Sequence, residues 1–198
     1  MSLPNATFVL GPLRCRWQRH AHGQATEPSV RAWLAAELDC AVDAIPLDRS
    51  ARGRPRLSTP FEHVDVSWSH SGDGLLIACG TDIALGVDVE RVRPRPRALE
   101  LAQRYFTSAE TAWLATRAGH EREEAFIRLW CAKEAVLKAH GYGLAFGLDR
   151  LAFAETREGL SMIECDVELG AAKEWALIEF VPARGYRAAL AWHPLLVR

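Results

Sequence analysis

The chain has 198 residues, 49% of them hydrophobic and 25% charged, with a formal net charge of −1. This composition allows one large domain or two small fused domains with a buried core, and the near-neutral charge excludes a general attraction to nucleic acid or to an anionic membrane. The longest apolar stretches, near Leu75–Cys79, are too short to span a bilayer. The N-terminal MSLPNATFVLGPLRCRW lacks the apolar run of a signal peptide. Five cysteines without a CxxC pair argue against a disulfide framework or zinc site, so we expect a cytoplasmic protein.

The first part of the chain predicts one helix, one loop and several strands. Apolar residues recur at helical spacing over Ser29–Cys40 and predict a helix there. The turn-rich segment Pro46–Pro60 contains the sequence GRPRL and is expected to be a loop. The sequence SHSGDG is expected to connect the second and third of the predicted strands. These strands are Phe8–Leu10, Val64–Ser67, Leu75–Cys79 and Ile83–Glu90.

The second part of the chain alternates helix and strand signals again. A helix is predicted over Ala98–Tyr105, and Thr107 with Glu110 forms a capping box that predicts the start of another. A long helix is predicted from about Glu121 to Ala139, with Gly141 as its C-cap. The later strands are predicted near Leu148–Ala154, Ser161–Val167, Trp175–Val181 and Tyr186–Trp192. This order predicts an α+β fold with two halves of similar size.

Two carboxylates stand side by side in the sequence GVDVE. Because alternate residues of a strand point to one side, Asp88 and Glu90 are expected to face the same way, with apolar neighbours facing the core. Two adjacent carboxylates repel each other unless a cation or a proton lies between them. Oxygen-only ligands suit a hard cation such as Mg²⁺. A solvated edge face would give the same short pattern.

A third carboxylate lies on the predicted long helix, in the sequence WCAKEAVLK. Glu134 and Lys138 are i,i+4 neighbours, which by itself is also typical of an exposed surface pair. Apolar residues cover most of this helix, so Glu134 is expected to be partly buried and to need a cation or a hydrogen-bond partner. If it meets Asp88 and Glu90, the three complete a carboxylate site.

The sequence VSWSHSG offers a possible phosphate-binding corner. Glycine and hydroxyl side chains at the end of a strand leave backbone N–H groups free for phosphate oxygens, and His70 adds a donor. A hairpin with a surface histidine is the alternative. A Ser–His nucleophile pair is also conceivable, but Ser69 and Ser71 lack the GxSxG setting of a hydrolase.

Taken together, these motifs resemble a known family. GRP, SHS, GVDVE, FTSAE and WCAKEAVLKAHGYGL occur in that order. The pattern GxDxE followed by WxxKExxxK is similar to the hallmark of the Sfp-type 4'-phosphopantetheinyl transferase superfamily. The resemblance covers roughly Ser29 to Phe153 well and the C-terminal strands loosely.

The resemblance implies an α+β fold of two pseudo-symmetric halves with a cofactor cleft between them, an N-terminal half over 1–85 and a C-terminal half carrying the metal site over 86–198. It implies that Mg²⁺ is held by Asp88, Glu90 and Glu134. It also implies that Gly53, Arg54 and Pro55 lie near the adenine of coenzyme A. The full set of cofactor-binding residues it implies is Arg54, Ser69, His70, Lys133 and Lys138.

The activity implied by the resemblance is transfer of 4'-phosphopantetheine from coenzyme A to a serine of an apo carrier protein, which releases adenosine 3',5'-bisphosphate. Glu134 and Lys138 would be the catalytic residues, Glu134 as ligand and candidate base and Lys138 as the charge that stabilises the leaving phosphate. We expect a monomer, because one chain with two halves can build the whole cleft.

The segment RVRPRPR is a candidate docking surface for the carrier protein. Its prolines favour an extended path, and carrier proteins are typically acidic near the modified serine. A solvated linker is the alternative. The arginines concerned are Arg91, Arg93, Arg95 and Arg97.

The sequence departs from the family pattern at two places, and two other functions are compatible with the same residues. Few residues precede the first predicted helix, so the residues that hold the 3'-phosphate cannot be matched one by one, and Trp68 is bulkier than expected beside SHS. The first rival is another Mg²⁺-dependent phosphoryl or nucleotidyl transferase that uses the same carboxylates. The sequence contains no GxxxxGK[ST] loop, which argues against a P-loop enzyme. The second is a non-catalytic module that binds carrier proteins.

Overall fold

The computed structural model describes residues 6–195, so the first five residues of the segment inspected for a signal peptide lie outside it. Helices and antiparallel strands are mixed along the chain, and the predicted α+β class is confirmed. The pseudo-symmetry of the two halves and their boundary stay predictions. Within the described residues, no helix combines the length and the apolar character needed to cross a bilayer.

The N-terminal part forms a four-stranded antiparallel sheet, covered on one face by a helix. The sheet order is β1-β2-β6-β5, and a separate pair, β3-β4, lies in the segment predicted to be loop. Strand β5 runs through the SHS sequence, which had been expected in a connection, because the chain turns only at Gly72, where φ is 59°. The elements are β1 Ala6–Leu10, β2 Leu13–Arg19, α1 Glu27–Glu37, β3 Leu47–Arg49, β4 Pro55–Leu57, β5 Val64–Ser71 and β6 Gly74–Thr81.

The C-terminal part places a long helix against a three-stranded antiparallel sheet of order β10-β11-β7, with a second pair, β8-β9, beside it. The capping box of Thr107 and Glu110 and the left-handed C-cap at Gly141 both form as predicted. The elements are β7 Ile83–Arg91, α2 Ala98–Tyr105, α3 Ser108–Ala115, α4 Gly119–His140, β8 Leu151–Thr156, β9 Gly159–Cys165, β10 Ala176–Phe180 and β11 Tyr186–Pro194.

The two sheets share one apolar core. Leu13 and Trp17 of β2 pack in the same buried cluster as Leu85 and Val87 of β7 and Leu190 of β11. The alternation predicted for β7 therefore holds, since its apolar face looks into this shared core. The other face of β7 is left for α4 and for the carboxylates.

Helix α4 lies directly on β7 at Gly86. A Cβ atom at Gly86 would lie 2.0 Å from the carbonyl oxygen of Ala135 and 2.5 Å from the amide nitrogen of Ala139. Only a residue without a side chain permits this approach of helix to strand. The contact brings Glu134 and Lys138, which flank it on α4, to the carboxylate face of β7.

We expect Gly86→Ala to lower the free energy of unfolding by about 3 kcal/mol or more, because neither backbone can give way without moving its whole element. Gly23→Ala is the matched control. Gly23 has open space around its Cβ position but a φ of +80°, so we expect it to cost only about 1 kcal/mol of backbone strain. Urea denaturation of both variants measures the difference, and equal losses would contradict the packing argument.

Candidate active site

The site lies where the edge strands β5 and β7 of the two sheets meet. These strands do not pair in either sheet, and side chains of β5 bridge them instead. Leu85 N–H donates to Asp65 Oδ2 at 2.7 Å and Val87 N–H to Ser67 Oγ at 3.1 Å. Further along, Ser69 and Ser71 donate to carboxylates of β7. We call the bridging residues Asp65, Ser67, Ser69 and Ser71 the β5–β7 seam.

Asp88 lies at the centre of the seam and is only 5% exposed. Its Oδ1 accepts from Ser69 Oγ at 2.8 Å and from Lys138 Nζ at 2.7 Å. Its Oδ2 is buried and has no hydrogen-bond partner among the described residues. A buried carboxylate oxygen without a partner is costly, so this atom marks a place for a cation or a donor from outside the chain.

Lys138 reaches this carboxylate from the last turn of α4. Besides Asp88, its ammonium donates to Ser69 Oγ at 3.0 Å and to the carbonyl of Val87 at 3.1 Å. An ammonium has three N–H donors, and these three acceptors use all of them. In this state Lys138 serves as the counter-ion of Asp88, so contact with a phosphate requires it to give up at least one of these bonds.

Glu90 and Glu134, the two glutamates predicted to join Asp88, lie near enough for its charge to raise their pKa values. Glu90 is half-buried and accepts from Ser71 Oγ and from Arg95 Nη2, each at 3.0 Å. Burial, followed by the charge of Asp88, raises the pKa of Glu90. The same two causes, in the same order, raise the pKa of Glu134 to about 7. The structure therefore joins Asp88 to Lys138 directly and places Glu90 and Glu134 within electrostatic reach of both.

The carboxylate oxygens of Asp88, Glu90 and Glu134 suit a hard divalent cation, although the side chains are not arranged around a common metal position. Among residues 6–195, no group of three or more His, Cys, Asp or Glu side chains is arranged to hold a metal ion as it stands. The unpartnered Asp88 Oδ2 and the raised pKa values of both glutamates nevertheless indicate uncompensated negative charge. Carboxylate oxygens alone are the ligand type that Mg²⁺ prefers.

A pocket of about 240 Å³ opens beside Lys138, and we call it the basic pocket. The guanidinium of Arg49, which lines it, lies 5.6 Å from the ring centre of Trp68, also in its wall. The guanidinium of Arg52, another lining residue, lies 3.6 Å from the ring centre of Tyr142, a ring that also stacks on His140. Such walls suit a planar ring that carries anionic groups. The lining residues are Arg49, Arg52, Gly53, Arg54, Pro55, Val66, Ser67, Trp68, Leu137, Lys138, Gly141 and Gly143.

His70 lies at the exposed end of β5, and a second histidine that the sequence interpretation missed lies beside it. The ring centres of His20 and His70 are 5.7 Å apart. His20 is buried, and its Nε2 lies 3.0 Å from the carbonyl oxygen of Gln24. No local sequence pattern indicates this pairing, because the two residues lie fifty positions apart.

Lys133 does not lie with the other predicted cofactor residues. Its side chain is fully buried on another side of α4, 2.8 Å from Glu110 Oε2 and 2.8 Å from the carbonyl oxygen of Leu148. Glu110 also accepts from Thr107 and from Phe153 N–H. The expectation that Lys133 contacts the cofactor is therefore replaced by a structural role, in which it ties α4 to α3 and to the start of β8.

Three of the four arginines predicted to dock a partner are engaged within the chain. Arg95 Nη2 lies 3.0 Å from Glu90 and Arg97 Nε lies 2.8 Å from Glu100, while Arg91 is 3.9 Å from Asp73. Arg95 thus orients a site carboxylate. The segment after β7 belongs partly to the site and is less of a free basic surface than its sequence indicates.

Comparison with known proteins gives the family. A family model described as the 4'-phosphopantetheinyl transferase superfamily matches residues 84–191, which is more than half of the chain and includes Asp88, Glu90, Glu134 and Lys138. The family model thus covers the site carboxylates and Lys138, whereas β5 and the pocket residues before position 84 lie outside the match. The chain belongs to the 4'-phosphopantetheinyl transferase superfamily.

Three relatives illustrate the extent of the similarity. The chain is 30% identical over 172 residues to the 4'-phosphopantetheinyl transferase HetI of Nostoc sp., a match that covers 83% of this chain and 70% of HetI. It is 35% identical over 128 residues to the Synechocystis protein slr0495, provisionally named a 4'-phosphopantetheinyl transferase, covering 62% of this chain and half of that protein. It is 30% identical over 136 residues to the human L-aminoadipate-semialdehyde dehydrogenase-phosphopantetheinyl transferase, covering 63% of this chain and 43% of the human protein.

The Lys133–Glu110 ion pair generates one prediction. We expect Lys133→Met to lower the free energy of unfolding by about 3 kcal/mol, because a buried carboxylate then loses its counter-ion while keeping its other donors. The exposed Lys173 provides the control, since Lys173→Met is expected to change stability by less than about 0.5 kcal/mol. Urea denaturation measures both; similar values would remove the structural role of Lys133.

The raised pKa of Glu134 predicts that this residue makes the stability of the protein depend on pH. The folded protein holds the Glu134 proton up to a pH of about 7, whereas the unfolded chain releases it near the ordinary value of 4.5. The stability that this proton binding contributes is present at low pH and is lost as pH rises from about 4.5 to about 7. We therefore expect Glu134→Gln to stabilise the metal-free protein by roughly 1 to 3 kcal/mol at pH 8 and by much less near pH 4.5. Urea denaturation at the two pH values measures this, and an equal effect at both would contradict it.

Proposed function

We propose that this protein is a magnesium-dependent 4'-phosphopantetheinyl transferase that moves the phosphopantetheine arm of coenzyme A to a serine of an apo carrier protein and releases adenosine 3',5'-bisphosphate. The observation that carries the proposal is Lys138, which lines the basic pocket and also binds Asp88, a carboxylate within electrostatic reach of Glu90 and Glu134. Membership of the superfamily supports it.

In this proposal the adenosine end of coenzyme A occupies the basic pocket. The aromatic face of Trp68 suits the adenine ring, and Arg49 and Arg52 supply positive charge for the phosphate groups. Ser69 and His70 lie where β5 leaves the pocket, and they extend the polar surface toward the carboxylates. The indole Nε1–H of Trp68 donates to Thr26 Oγ1 at 3.0 Å, which fixes the bulky ring in the wall of the pocket.

Asp88, Glu90 and Glu134 would hold the magnesium ion, which when bound neutralises charge on the pyrophosphate. The residues of the chain supply the rest. Lys138 moves from Asp88 toward the phosphate that leaves, and its positive charge stabilises that group. Glu134 takes the proton of the attacking serine hydroxyl.

The carrier protein is proposed to approach along the segment after β7, next to the site carboxylates. Arg93 is exposed there, and Arg91 and Arg97 are exposed although each lies near a carboxylate. Exposed arginines favour the encounter with an acidic partner. All five cysteines are free thiols, which fits the reducing cytoplasm in which we propose that the protein works as a monomer.

The test is intact-protein mass spectrometry of an apo carrier protein after incubation with this chain, coenzyme A and Mg²⁺. We expect a mass gain of one phosphopantetheine group, lost when EDTA is added. Glu134→Gln is expected to lower the rate by at least about 100-fold because it removes a ligand and the base together. Glu121→Gln, at an exposed position of the same helix, is expected to retain the full rate.

Each negative result has a defined meaning. Full activity of the Glu134→Gln variant would remove Glu134 from the mechanism. Binding of coenzyme A without any mass gain on acyl, polyketide and peptidyl carriers would favour a non-catalytic binding module. Magnesium-dependent binding of a nucleoside triphosphate in place of coenzyme A would favour a different phosphoryl or nucleotidyl transferase.

A further inference from the structure

We propose that Arg54 and Asp65 are positioning residues whose ion pair fastens the last turn of α4 to the start of β7 and so sets where Lys138 meets Asp88. The inference rests on the proposed function, because it concerns the arrangement of that same site. It also gives Arg54 a role different from that of a cofactor ligand.

The ion pair joins three segments that are far apart in the sequence. Arg54, in the loop before β4, donates from Nε to the carbonyl oxygen of Lys138 at 2.9 Å and from Nη2 to the carbonyl oxygen of Leu85 at 3.2 Å. The same Nη2 forms the ion pair with Asp65 Oδ2. That carboxylate oxygen accepts Leu85 N–H at 2.7 Å. The N–H and the carbonyl of Leu85 are thus both held by the pair.

The pair is shielded from solvent and lies between two cavities. The side chains of Arg54 and Asp65 are each only 11% exposed. Arg54 lines both the basic pocket and a second cavity of about 640 Å³ on the far side, whereas Asp65 lines only the second. The pair therefore forms the partition between the two cavities, and an ion pair so placed is screened little by water or salt.

Three of the five N–H donors of the guanidinium are used within the protein. The Nε–H and Nη2 donors, the edge that a phosphate or carboxylate binds in bidentate fashion, are directed at protein acceptors. The end of α4 is shaped to fit this side chain. A Cβ atom at Gly141 would lie 2.8 Å from Arg54 Cδ, so the C-cap position needs glycine for space as well as for its φ of 89°.

The consequence for the site follows from Lys138, which is held at both ends. Arg54 fixes its backbone carbonyl, and Asp88, Ser69 and Val87 fix its ammonium. If the ion pair is broken, the last turn of α4 loses its anchor to β7, and the ammonium shifts relative to Asp88. A shift of about 1 Å in a catalytic group is enough to lower a rate by about 100-fold.

The test compares Arg54→Gln, Asp65→Asn and the double variant, with Arg56→Gln as control because Arg56 is an exposed neighbour on β4. We expect each single variant to lower kcat by about 10- to 100-fold while changing the dissociation constant of coenzyme A, measured by calorimetry, by less than about threefold. Because the two residues act as a unit, the double variant is expected to lose no more than the worse single variant. Arg56→Gln is expected to match the wild type.

A second readout does not depend on transferase activity. We expect amide hydrogen exchange in the last turn of α4 to become at least about tenfold faster in both single variants and unchanged in Arg56→Gln. Hydrogen exchange still tests the positioning role if the wild-type protein transfers no phosphopantetheine. That absence of transfer would contradict the proposed function alone. If a single variant does not fold, the double variant, which leaves no unpaired buried charge, is compared with the wild type instead.

Two results would overturn the inference. One is a loss of coenzyme A affinity of more than about tenfold in Arg54→Gln with Asp65→Asn unaffected, which would make Arg54 a cofactor ligand. The other is wild-type exchange at the end of α4 in Asp65→Asn, which would show that the ion pair does not anchor the helix.

Discussion

The seam between β5 and β7 is the constraint on which the rest of the structure depends. Two sheet edges meet there without pairing, and hydroxyl and carboxylate side chains replace the backbone hydrogen bonds that an ordinary sheet would form. Because the backbones of β5 and β7 do not pair, hydroxyl groups of β5 contact the carboxylates of β7 directly. The same serines that close the seam orient Asp88 and Glu90, so the join between the sheets and the site is a single network.

Electrostatics sets the character of this site. Three carboxylates share a partly buried space, and the chain supplies Lys138 and Arg95 as counter-ions but leaves Asp88 Oδ2 unpartnered. The raised pKa values of Glu90 and Glu134 follow from their burial and from the negative charge of Asp88. Crowding of this kind lowers the stability of the free protein and favours a bound divalent cation, which is the usual exchange of stability for function at a reaction centre.

Local patterns predicted the parts of the site that depend on one element. The alternation in GVDVE placed Asp88 and Glu90 on one face, and the cap residues Thr107 and Gly141 marked real helix ends. The same patterns cannot tell which side of α4 meets which neighbour. Lys133 and Glu134 are adjacent in the sequence but lie about 100° apart around the helix. Lys133 therefore contacts Glu110 of α3, whereas Glu134 lies on the side of Asp88. Nor can any local pattern show that Arg54 binds the carbonyl of Lys138, because that contact joins residues 84 positions apart.

A junction made of side chains has a mechanical consequence. In a continuous sheet, moving one edge strand means breaking a row of backbone hydrogen bonds at once. Here each bridge belongs to one replaceable residue, and the apolar core beneath holds the two sheets together when a single bridge changes. The spacing between β5 and β7 can therefore be changed one side chain at a time, without redesigning either sheet.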